Sequence, residues 1–127
     1  MGSGAVYVVN PAGGYPYDLT LVLRVTEIST GANNIVVIGT VPSGKAWCIN
    51  AIGSWNATAT TPNKYIGVNS GGTYAYLNYG ASHGVYTMLT WAGSIWLQAG
   101  MELIAVFNGI AAGQSLTGLA IGGQISI

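Results

Sequence analysis

Residues 65–79 read Tyr65-Ile66-Gly67-Val68-Asn69-Ser70-Gly71-Gly72-Thr73-Tyr74-Ala75-Tyr76-Leu77-Asn78-Tyr79. Tyr65 to Val68 and Tyr74 to Tyr79 are rich in aromatic and β-branched residues, which fit a pleated surface. Between them, Asn69-Ser70-Gly71-Gly72 supplies the residues that a tight turn requires. This stretch is a β-hairpin, and its punctuation repeats along the chain. Upstream, Leu19, Leu21, Leu23 and Val25 alternate with Thr20, Val22, Arg24 and Thr26, the period of a strand. Gly31 to Asn34 is a turn. Ile35 to Val41 is a β-branched strand ended by Pro42-Ser43-Gly44, and Ala46 to Trp55 is the next strand. Ala57 to Asn63 reads as a loop closed by Pro62-Asn63.

Downstream, Gly80 to Gly84 reads as a loop holding His83. Val85 to Trp91 and Ile95 to Leu97 read as strands separated by a turn at Ala92-Gly93-Ser94. Glu102 to Asn108 is apolar on both faces, which points to burial on both sides. After a loop from Asn108-Gly109 to Gly113-Gln114, Leu116 to Ile127 forms the last strand, with Leu119, Ile121, Ile125 and Ile127 on one face. No segment carries a helical hydrophobic stripe. Turn signals about every ten residues indicate an all-β fold, and eight or nine strands suit an antiparallel β-sandwich of jelly-roll type, although the strands alone do not distinguish it from an immunoglobulin-like sandwich. The Cys-Trp-Cys hallmark of antibody domains is absent.

Residues 1–17 differ from the rest. They carry Gly and Pro turn chemistry, no charge, an apolar patch at Val6, Val8 and Val9, and Tyr7, Tyr15 and Tyr17. The reading is an extended N-terminal arm ahead of a single sandwich domain at 18–127. Tyr7, Val8, Val9, Tyr15 and Tyr17 are its candidate contacts to another subunit. A frayed end or a linker-like Gly2-Ser3-Gly4 leader is the alternative. The segment lacks the basic and long apolar regions of a secretory signal.

Charge is the chain's most unusual property. Three basic residues (Arg24, Lys45, Lys64) and three acidic ones (Asp18, Glu27, Glu102) make 5% of the sequence and a net charge of +0. Ordinary domains are about 25% charged. So few charges leave a free monomer little repulsion from its own kind, which suggests a surface covered by other subunits. Scattered basic residues do not build the cluster that nucleic acid or an anionic membrane needs. Mean hydropathy is +0.48. Even so, the longest clean apolar run from Ile95 to Ile121 is Leu103 to Phe107, far short of a membrane-spanning helix.

The same shortage limits chemistry. Cys48, the only cysteine, sits between Trp47 and Ile49 and reads as a small buried hydrophobe. His83 is the only histidine and has no neighbouring carboxylate to orient it. Its readings are a hydrogen-bonding residue or, across a symmetry axis, a shared metal ligand. Glu27 and Glu102 are not marked as a glycosidase pair, and three carboxylates are too few for calcium. Glu102 reads instead as a partner for Arg24 or Lys45, within or between subunits. The glycine pairs Gly71-Gly72 and Gly122-Gly123 do not match a phosphate loop. The sequon Asn56-Ala57-Thr58 lacks a secretory context. The expectation is a non-enzyme with no cofactor and no metal.

Aromatics are the one suggestive set. Tyr65, Tyr74, Tyr76, Tyr79, Tyr86, Trp91 and Trp96 crowd the middle of the chain, with Trp55 just before them. Tyr and Trp favour strands, subunit interfaces and sugar-stacking surfaces alike.

Three turn motifs carry a resemblance. Val41-Pro42-Ser43-Gly44-Lys45-Ala46-Trp47 opens a strand, Leu97-Gln98-Ala99-Gly100-Met101-Glu102-Leu103 precedes a late one, and Ile121-Gly122-Gly123-Gln124-Ile125 closes the chain. In these scattered pieces the sequence resembles the small jelly-roll virion proteins of tailed bacteriophages, the capsid decoration or cement proteins among them. The resemblance implies a homotrimer on the outer capsid surface, bound to the major capsid protein or another virion protein, with no active site. The competing expectation is a carbohydrate- or receptor-binding module of the adhesin or tail-fibre type.

Overall fold

The computed structural model describes residues 18–127. The arm assigned to residues 1–17, with Tyr7, Val8, Val9, Tyr15 and Tyr17, lies outside the described residues. Eight strands follow one another: β1 (Leu19–Ile28), β2 (Asn33–Thr40), β3 (Lys45–Asn56), β4 (Thr61–Ser70), β5 (Thr73–His83), β6 (Leu89–Gln98), β7 (Glu102–Asn108) and β8 (Ser115–Ser126). They form two four-stranded sheets, ordered β1-β8-β3-β6 and β2-β7-β4-β5. This is a jelly roll, and the strand order decides between the two kinds of sandwich that the sequence leaves open.

The topology grows from the hairpin. β4 and β5 pair across a turn at Gly71 and Gly72, whose φ values of 60° and 93° suit glycine. The pairs β3–β6, β2–β7 and β1–β8 are then nested outside it, all antiparallel. Only the innermost pair is local in sequence.

The two inner faces meet in a core that includes Leu21, Val36, Ile49, Ile52, Ile66, Leu103, Phe107 and Leu116. Fully burying each such side chain contributes about 1.5–3 kcal/mol. Register shifts set which residues point inward. In β3, Asn50 is an extra residue against β8, so Ile49 pairs with Gly122 and Ala51 with Ile121. The inward series therefore passes from Trp47 and Ile49 to Ile52 and Ser54.

Several boundaries differ from the sequence reading. The expected turn at Ala92-Gly93-Ser94 is an irregularity inside a continuous β6, facing Asn50. Gly93 marks a bulge there, which uses the same residue type as a turn. Pro62 and Asn63 begin β4 rather than closing a loop. His83 ends β5 rather than lying in a loop, and Val85 to Met88 connect β5 to β6. The face holding Leu119, Ile121 and Ile125 is the outer one; Leu116 and Ala120 of β8 enter the core.

Candidate functional site

Both outer faces of the sandwich are apolar. On the β1-β8-β3-β6 sheet, Val22 pairs with Ile121, Arg24 with Leu119 and Thr26 with Thr117. Their outward neighbours on β3 are Ala51, Gly53 and Trp55. Val22 is 77% exposed, Trp96 57% and Ile121 47%. Met88 reaches over from the β5–β6 connection, and its Sδ lies 2.9 Å from where a Cβ on Gly53 would stand. The Arg24 guanidinium lies 5.3 Å from the centre of the Trp55 ring, a cation–π contact. Cys48 also faces this way, but it is buried and its Sγ lies 3.2 Å from Ser94 Oγ.

The outer face of the β2-β7-β4-β5 sheet is a tyrosine layer. Tyr65 pairs with Tyr79 and Val106, Gly67 with Tyr76 and Ile104, and Asn69 with Tyr74 and Glu102. Ring centres are 4.7 Å apart for Tyr65–Tyr76 and 4.9 Å for Tyr65–Tyr79. Tyr74 and Tyr76 are stacked at 6.4 Å. This layer explains why Ile104 and Val106 are buried although they face away from the core. Its polar border is made by Asn63, which accepts from Tyr79 Oη at 2.8 Å, and Asn69, which donates to Glu102 Oε1 at 2.9 Å.

The aromatic set is thus divided. Tyr74, Tyr76 and Tyr79 share one outer face with Tyr65, whereas Trp55 and Trp96 lie on the opposite outer face. Trp91 packs against the core instead of forming a surface. Tyr86 is exposed in the β5–β6 connection with a φ of 61°.

Charges occupy distinct places. Within one chain Glu102 takes Asn69 as partner, Arg24 lies on the other sheet over Trp55, and Lys45 Nζ donates to Ser126 Oγ at 2.8 Å. The intrachain ion pair considered for Glu102 is therefore not how these side chains are used. The Asp18 carboxylate accepts from the Ser126 backbone N–H. Hydrogen bonding to Ser126 and the nearby Lys45 charge lower its pKa.

Lys64 was not singled out by the sequence, and it is fully buried between the sheets. Its Nζ donates to the Thr87 carbonyl at 2.7 Å and the Ser54 carbonyl at 3.2 Å, and lies 5.8 Å from the Phe107 ring centre. Burial lowers its pKa to about 8. The alternation Lys64, Ile66, Val68 was the available signal, because it places Lys64 on the inward face. The His83 ring lies over Gly80. Burial, and then the Lys64 charge, lower its pKa. Ser54 Oγ and His83 Nδ1 are buried without hydrogen-bond partners. Among the described residues, no group of three or more His, Cys, Asp or Glu is placed to hold a metal ion. Nor is any helix there long and apolar enough to cross a membrane.

No family model matches the sequence, and no curated protein does. Solved structures do share the fold. A chain of the acidic stable capsid structure of Helicobacter pylori bacteriophage KHP30 aligns over 87% of this chain and 96% of its own, with a TM-score of 0.53 and 14% identity. A chain of the disulfide-linked pili of Bacillus endospore appendages aligns over 96% of this chain and 99% of its own, with a TM-score of 0.46 and 16% identity. The infectious bursal disease virus Gt strain structure aligns over 96% of this chain and 38% of its own, with a TM-score of 0.40 and 8% identity. At such identities the likeness establishes architecture, and it rests on the first of the three: the chain has the jelly-roll fold of a protein in a phage capsid structure.

Proposed function

We propose that this chain is a structural protein of a virus particle that decorates the outer capsid surface and cements its lattice. The observation that carries this reading is the pair of apolar outer faces on one small jelly roll. A monomer seldom exposes contiguous apolar surface of this kind without using it for contact. The fold shared with a phage capsid structure supports the same reading. Burial of these faces against copies of itself and against the major capsid protein resists lattice expansion through many weak contacts acting together. The near absence of charge suits such burial, because a desolvated unpaired charge is costly. The trimer implied by the resemblance is a closed alternative to open association, and the mass of the assembly in solution distinguishes the two. The segment 1–17 supplies additional capsid contacts, and its removal weakens attachment.

Imaging of particles with and without this protein tests the proposal. Density for the sandwich on the shell supports it. Particles that never contain the chain contradict it.

A second reading has its own observation. The tyrosine layer bordered by Asn63, Asn69 and Glu102 pairs ring faces with hydrogen-bonding side chains, which suits a sugar. Its test is chemical-shift mapping against a glycan panel. Saturable shifts confined to Tyr65, Tyr74, Tyr76 and Tyr79 favour it, and no response removes it.

A further inference from the structure

The two outer faces differ in one respect that bears on what covers them. The β1-β8-β3-β6 face holds Arg24 and no acidic residue along its outward series. The β2-β7-β4-β5 face holds Glu102 and no basic one. The remaining charges are elsewhere: Lys64 is buried between the sheets, while Asp18, Glu27 and Lys45 lie at strand ends. Each face thus presents a single charge, of opposite sign, in an apolar field. One side offers Val22, Ile121 and Trp96, and the other offers Ile35, Tyr76 and Tyr79, all between 46% and 77% exposed.

We propose that a second copy of this chain docks front to back, the β1-β8-β3-β6 face of one copy on the β2-β7-β4-β5 face of the next, with Arg24 of one against Glu102 of the other. Front-to-front docking on a two-fold axis beside Arg24 would bring two arginines together, and back-to-back docking beside Glu102 two glutamates. Like charges facing each other across a desolvated contact cost several kcal/mol, whereas front-to-back docking pairs opposite signs. Sheets stacked this way lie about 10 Å apart, a gap that interdigitating side chains fill. The small outward residue Ala51 leaves room for a tyrosine ring, whereas Met88 already covers Gly53. The contact is heterologous. Because its two halves are on opposite sides of one sandwich, repeating it builds an open stack and not a threefold ring. The inference rests on the reading that this chain self-assembles, and it does not require a capsid.

The test is sedimentation of the full chain as wild type, as Arg24→Glu, as Glu102→Arg, and as an equal mixture of the two variants. Circular dichroism checks that each variant keeps its β fold. Wild type associates in a concentration-dependent series. Each variant alone meets its own kind with like charges and associates about a hundredfold more weakly. The mixture restores association, because each contact again joins opposite signs. Variants that associate as wild type does, or a mixture that fails to restore association, overturn the proposal. A closed three-chain species unaffected by either reversal also overturns it. So does a monomeric wild type, although one that still binds particles leaves the virion reading intact. Loss of particle binding by Arg24→Glu with unchanged self-association assigns the face to another virion protein and overturns the proposal as well.

Discussion

Lys64 Nζ donates a hydrogen bond of 2.7 Å to the carbonyl oxygen of Thr87, which ties the buried middle of the sandwich to the exposed β5–β6 connection. The connection carries Val85, Tyr86 and Met88, each at least 45% exposed, and Met88 extends onto the β1-β8-β3-β6 face. A buried ammonium with only carbonyl partners therefore helps to fix one edge of an apolar contact surface.

Lys64 makes stability depend on pH. Its pKa falls from 10.5 in an unfolded chain to about 8 in the fold. Between these values the unfolded chain binds the extra proton, so stability rises with pH across that window and is lowest below it. Relative to Lys64→Met, wild type should gain about 2 to 3 kcal/mol between pH 7 and pH 10. Denaturant titrations at the two pH values measure it. Parallel pH profiles for the two proteins contradict the assignment.

Gly67 should tolerate no side chain. A Cβ there would strike the Ala75 carbonyl oxygen and lie 2.9 Å from Tyr76 Cα, both backbone atoms that cannot turn aside. Gly67→Ala should cost about 2 to 3 kcal/mol and disturb the tyrosine layer. Gly31→Ala, with nothing within 4 Å, should change stability by less than about 0.5 kcal/mol. Equal melting temperatures for the two variants would show that the β4–β5 approach is not as close as described.

Cys48 should resist modification. It is 3% exposed although it faces outward, covered by its cross-strand neighbours. A thiol reagent should label the native chain slowly and the denatured chain completely. Rapid stoichiometric labelling of the native protein contradicts that burial.

The fold was largely legible because its signals are local. Asn69 to Gly72 marks the hairpin from which the other pairs nest, and each strand carries its own alternation. Register, in contrast, is set between strands and is not written in any one of them. Tyr74 and Tyr76 share a face by simple alternation, but Tyr79 joins them because the pairing shifts by one residue at Leu77. Gly93 reads as a turn in isolation and becomes a bulge only when β3 lies beside it. Close together in sequence, the aromatic residues read as one set, whereas strand direction and sheet membership distribute them over two faces, the core and a connection. The outward use of Ile121 and Val22 was also hidden, because apolar residues on a strand do not declare which face is the inner one. Lys64 shows the reverse: its alternation with Ile66 and Val68 was visible, but a lysine is seldom placed in a core on pattern alone.

The two outer faces, on this reading, bind further copies of the same chain. Sedimentation equilibrium of the purified chain over a wide concentration range measures that association. Average mass should rise with concentration and fall toward that of one chain on dilution. A chain that stays monodisperse and monomeric at the highest concentration attainable would show that the faces do not bind one another.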